Sequence, residues 1–164
     1  MNGKNIWSFI LGLIFLYAQL LIMPSFGLWG VIPSLLIPWL IYLVWTRERD
    51  AALVIGFIIF LMYDSTQPGT FGFHALLSVI LTVSLDQFRK PFEEESVVAK
   101  MLTLLLANLI FHLAQLLVLG VIYGFDGKLT GLAGIGFVYD LLISFVVFWL
   151  MQFLSRLRLV VTGD

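Results

Sequence analysis

A handful of residues could do chemistry in an otherwise apolar chain. Asn108, His112 and Gln115 recur at i, i+4 and i+7, so they share one face of a helix. Gly136, Asp140 and Ser144 make a similar stripe on a later segment, and Asp64 and His74 flank a short turn. An imidazole facing a carboxylate can relay a proton, help line a site for a small polar or lipid-like molecule, or bond one helix to another. A relay would need further carboxylates, which the stripes lack. No catalytic triad, metal cluster or paired-carboxylate site stands out, so the reading is no enzyme, no metal and no cofactor. With no cysteine, disulfides and thiolate metal sites are excluded.

These polar stripes have to be placed by membrane helices. The chain is 61% hydrophobic and 12% charged over 164 residues, with mean hydropathy +1.06, too little charge for a water-facing surface. Six apolar stretches are expected as spans, at about 6–23, 28–45, 47–64, 71–88, 97–122 and 132–154, in one polytopic domain. The first follows only Lys4, and Met23-Pro24-Ser25-Phe26-Gly27 offers no small-x-small cleavage site, so it is read as a retained helix. The third and fourth have short strictly apolar cores, which leaves a re-entrant hairpin open as an alternative. Trp7, Trp29, Trp39, Trp45 and Tyr123 mostly fall near span ends, as an interfacial belt would.

Six alternating spans put Lys4, Arg47, Arg49, Arg89, Lys90, Lys100, Arg156 and Arg158 on one side and only Lys128 on the other. The positive-inside rule then predicts both termini in the cytoplasm. The net charge of -1 says nothing about nucleic acid, and no nucleic-acid partner is expected. Depth along the spans predicts a pair: His112 lies ten residues from the outer end of its span and Asp140 eight from the outer end of its own. At about 1.5 Å per residue these are roughly 15 and 12 Å deep, so the two side chains are expected to meet. Membrane bundles use such contacts as interhelical glue. A ligand cavity is the sharper reading.

The third and fourth spans carry a resemblance. They read Gly56-Phe-Ile-Ile-Phe-Leu-Met-Tyr-Asp64-Ser-Thr-Gln-Pro68-Gly69-Thr-Phe-Gly72-Phe-His74-Ala75-Leu76-Leu77. This resembles the best-marked segment of the rod shape-determining protein MreD family: an apolar helix with an early Gly that ends in Asp, a Pro/Gly turn, and a Gly-x-x-Ala-Leu start to the next helix. Phe60 and Tyr63 depart from it, where the family more often has Gly and Leu. The resemblance implies an all-α six-helix transmembrane bundle similar to the substrate-binding subunits of energy-coupling-factor transporters. It further implies a non-enzymatic inner-membrane scaffold of the bacterial cell-elongation complex that helps control peptidoglycan synthesis. Its implied partners are MreC, and directly or indirectly RodA, a penicillin-binding transpeptidase and MreB, besides membrane lipids. The alternative is a solute-binding subunit of an energy-coupling-factor type transporter.

Asp64 itself admits two readings, a water-solvated residue closing a helix at the outer interface, or, with Gly72 and His74, part of an outward-facing surface for a partner. Three further features are discounted. The loop Gly124 to Gly136 looks like a phosphate-binding loop, but Thr130 does not directly follow Lys128 and no strand precedes it. Gly120 and Gly124 form a Gly-x-x-x-Gly that would serve a homodimer, though at a helix end. In the loop Asp86 to Ser96, Arg89 and Lys90 anchor a helix end at the headgroups, while Glu93, Glu94 and Glu95 precede a helix N-terminus; contact with a cytoplasmic filament is the sharper alternative.

Overall fold

Leu36–Thr46 is apolar on every side, and a short helix with no polar face has to be buried. In the computed structural model, which describes residues 3–92 and 96–161 and side chains as far as residue 154, this helix is the centre of the molecule. Six α-helices follow in order: α1 (Gly3–Leu21), α2 (Leu36–Thr46), α3 (Arg49–Asp64), α4 (Phe73–Arg89), α5 (Val97–Tyr123) and α6 (Gly127–Val161). Helix α2 packs against all five others, and Trp39, Leu40 and Ile41 at its middle are sealed from the surface. Among the described residues there is no β-strand, only an isolated bridge between Leu28 and Val31.

The pattern of burial is inverted relative to a protein in water. Gln19, Asp64, His74, Asn108 and Asp140 are buried, while Leu105, Leu109, Leu113 and Leu117 make an exposed apolar stripe along α5. Val138, Leu142, Phe145 and Val146 do the same on α6. Hydrocarbon tolerates such a surface and water does not. Helices α1, α5 and α6 are long and apolar enough to cross a membrane. Helices α3 and α4 have 16 and 17 residues. At about 1.5 Å per residue they reach roughly 24–26 Å, short of an apolar core about 30 Å thick.

Two expected boundaries are corrected. The second span does not run as a helix from Leu28: residues 28–31 form a tight turn, 32–35 lie outside any helix, and α2 begins only at Leu36. Trp29 and Gly30 both take positive φ, 51° and 84°, and Pro33 follows, so the apolar run hid a non-helical backbone. Helix α6 starts at Gly127, not at 132, because Asp126 accepts the Leu129 N–H at 2.6 Å and caps its first turn. The Gly120–Gly124 motif is occupied from within: Phe125 packs where a Gly120 side chain would stand.

Apart from Lys128 at the start of α6, the basic side chains among the described residues gather at one end. Arg47 donates to Ser8 at 2.7 Å, and Arg89 holds Asp86 at 2.9 Å while reaching the Arg47 carbonyl at 3.5 Å. Lys100 lies 5.6 Å from the Trp45 ring centroid, a cation–π contact. The acidic run Glu93, Glu94 and Glu95 lies outside the described residues, as do the side chains of Arg156 and Arg158.

Close approach of α1 to α2 depends on Gly12. A Cβ there would stand 2.5 Å from Trp39 Cζ2 and 3.0 Å from Ile59 Cγ1. Trp39 is fully buried and has no room to turn. Gly12→Ala is therefore expected to destabilise the bundle by about 1–3 kcal/mol. Thermal melting in detergent checks this, and a variant that melts like the parent would show that α1 can shift freely.

Candidate functional site

Non-helical backbone at membrane depth leaves N–H and C=O groups that lipid cannot satisfy. Residues 33–35, just before α2, are such a segment, and side chains from two other helices answer them. Gln19 of α1 donates to the Pro33 carbonyl at 3.1 Å and accepts the Leu35 N–H at 2.6 Å. Asp140 of α6 accepts the Ser34 N–H at 2.8 Å through Oδ1. Its other oxygen, Oδ2, lies 2.8 Å from His112 Nε2 on α5, the contact expected from depth. Asn108 accepts from Ser144 at 3.3 Å one helical turn away, so the two polar stripes meet along the α5–α6 seam. Gly136 completes it, since a Cβ would stand 3.2 Å from His112 Cε1.

A second carboxylate does the same work at another helix start. Gly72 precedes α4 with φ 84° and has no side chain to cap it. Asp64 reaches across from the end of α3 instead, accepting the Ala75 N–H at 2.8 Å and the His74 N–H at 3.3 Å. The same carboxylate lies 2.6 Å from His74 Nδ1. A negative group at a helix N-terminus is further favoured by the helix dipole. The motif thus has a physical sense: the Asp supplies the cap that the Gly cannot. Asp64 does close α3, as expected, but it is neither wetted nor outward-facing: it is fully buried, as is most of His74.

Both imidazoles line one cavity of about 350 Å³. Gln19, Ser34, Tyr63, Gln67, Gln115 and Asp140 supply its other polar groups, and Phe60 and Phe111 its aromatic walls. Its lining on α6 extends from Leu129 to Asp140, eleven residues apart. At about 1.5 Å each, that is roughly 16 Å into the bundle from the end opposite Arg47 and Arg89, where Lys128 lies. Phe111 lies between the histidines, with ring centroids 5.9 Å from His74 and 5.5 Å from His112. The contributions of Gln19, Ser34, Tyr63 and Gln67 were missed in the sequence. Glycine and proline at 30 and 33 could have drawn attention to the unpaired backbone that Gln19 serves. Among the described residues, no group of three or more His, Asp or Glu side chains could hold a metal ion.

Comparison with known proteins adds identity to this geometry. No curated protein and no solved structure matches the chain. The family model of rod shape-determining protein MreD, however, matches residues 3–160 of the 164. A match over nearly the whole of a bundle with three membrane-length helices places this membrane protein, with its role in rod shape determination, in the MreD family.

Proposed function

We propose that the chain is a non-enzymatic scaffold subunit of the bacterial cell-elongation complex, held in the inner membrane with both termini in the cytoplasm. It binds MreC and, directly or through it, meets RodA, a penicillin-binding transpeptidase and MreB, and so helps control peptidoglycan synthesis. The observation that carries this reading is the family match over residues 3–160. Clustering of Lys4, Arg47, Arg89 and Lys100 on one side supports the orientation. Asn108, His112, Asp140 and Ser144, which the sequence placed within spans, are bonded across the α5–α6 seam, which suits positioning rather than turnover.

Gly72, with His74 and Asp64 behind it, shapes the turn between α3 and α4, and through that turn these residues would act on a partner. The cavity favours a second reading, a solute-binding subunit similar to those of energy-coupling-factor transporters, because its polar lining is richer than the α5–α6 stripes alone. Affinity purification of the tagged chain from gently solubilised native membranes tests both, with mass spectrometry of proteins and small molecules. Recovery of MreC with cell-wall synthases is the expected result. A coupling ATPase with a stoichiometric small molecule would replace the scaffold by the transporter subunit.

A further inference from the structure

The cavity has acceptors that the protein itself does not use. His74 donates through Nδ1 to Asp64, so in the neutral ring Nε2 carries a free lone pair. His112 engages Asp140 through Nε2, which leaves Nδ1 in the same state. Neither of these remaining nitrogens, nor the Gln115 carboxamide, has a hydrogen-bond partner among the described residues, although His74 is only 4% and His112 only 8% exposed. Two carboxylates stand directly behind the rings, and no Lys or Arg lines the cavity. Phe60, Tyr63 and Phe111 add aromatic walls, which attract cations through the ring quadrupole. Acceptors, negative charge behind them and aromatic walls together select a group that is positive and rich in N–H donors. Phosphate and carboxylate would meet no cation there.

We propose that this cavity binds a primary ammonium group, donated by an ethanolamine lipid headgroup or by a free small amine. The proposal concerns the cavity alone and does not depend on the scaffold role. Such a group carries three N–H bonds, and the cavity walls offer it acceptors at His74 Nε2, His112 Nδ1 and the Gln115 carbonyl.

Native mass spectrometry on the full chain in detergent micelles tests the assignment. It is titrated in turn with phosphatidylethanolamine, phosphatidylcholine, phosphatidylglycerol and free ethanolamine. Phosphatidylcholine keeps the positive charge and removes every N–H donor, so it isolates the hydrogen bonds. The expected result is preference for phosphatidylethanolamine or ethanolamine over both other lipids. Gln115→Leu should weaken that binding about fivefold, the effect of one lost hydrogen bond of about 1 kcal/mol. Ala133→Phe, which fills the cavity from α6, should abolish it. Retention of the diacyl lipid alone assigns the group to a headgroup; competition by ethanolamine alone assigns it to a free amine. Equal binding of phosphatidylcholine, or unchanged preference in both variants at unchanged melting temperature, overturns the proposal.

Discussion

Asp64→Ala is expected to cost about 3–5 kcal/mol, the range for stripping one partner from a buried charged contact. The substitution leaves the N–H groups of His74 and Ala75, and the His74 ring, facing a fully buried space without an acceptor. For a chain of this size each kcal/mol lowers the melting temperature by about 2–4 °C, so a fall on the order of 6–20 °C is expected. Asp64→Asn should fall between. Its one oxygen can keep the Ala75 N–H, and its amide can donate to His74 Nδ1 if the ring changes tautomer, but the favourable charge at the α4 N-terminus is lost. His74→Ala supplies the internal comparison, because Asp64 then still caps α4 through backbone N–H groups. It should cost less than Asp64→Ala. Thermal melting of the three variants in one detergent decides the matter, and a His74 variant as damaged as the Asp64 one would mean that the pair, not the cap, holds the turn.

That distinction also shows where the sequence was readable. His112 and Asp140 could be paired in advance because α5 and α6 are long, regular and antiparallel, so that spacing translates directly into depth; the Asn108–Ser144 contact one turn away was not foreseen. The inward direction of the two stripes followed from the cost of polar groups in hydrocarbon. Asp64 resisted the same reasoning. An acid at the end of an apolar helix is ordinarily wetted, and only the three-dimensional return of Gly72 shows that the carboxylate turns inward to cap its neighbour. The start of α2 was harder still. Leu28 to Leu35 carries no charged residue and is apolar overall, and hydropathy does not distinguish helical from extended backbone. What permits the break is Gln19, fourteen residues before Pro33 on another helix, and nothing local to either residue announces the partnership. The basic loops were placed by charge, yet Arg89 also ties α4 to the α2–α3 connection through the Arg47 carbonyl, a structural use beyond headgroup anchoring.

The effect of Asp140 can be separated into its two oxygens. Oδ1 holds the Ser34 N–H and thereby the entry to α2, while Oδ2 holds His112 and thereby the α5–α6 seam. Asp140→Asn preserves both contacts in form: the amide oxygen can accept from Ser34, and the amide nitrogen can donate to His112 Nε2 in its other tautomer. A loss of about 1 kcal/mol is expected, within the range for polar contacts between membrane helices. Asp140→Ala leaves a buried backbone N–H and a buried imidazole without their partner, so about 2–4 kcal/mol should go. A double-mutant cycle with His112→Ala resolves the two halves. If the seam carries the energy, His112→Ala alone should reproduce most of the Asp140→Ala loss, and the double variant should be little worse than either single one. If the Ser34 contact dominates, His112→Ala should be mild and Asp140→Ala severe. The second outcome is the one expected, because backbone without an acceptor at membrane depth has no other recourse, whereas the His112 ring can turn its nitrogen to the cavity. Equal and unchanged melting of all three variants would remove Asp140 from any account of how α2, α5 and α6 are joined.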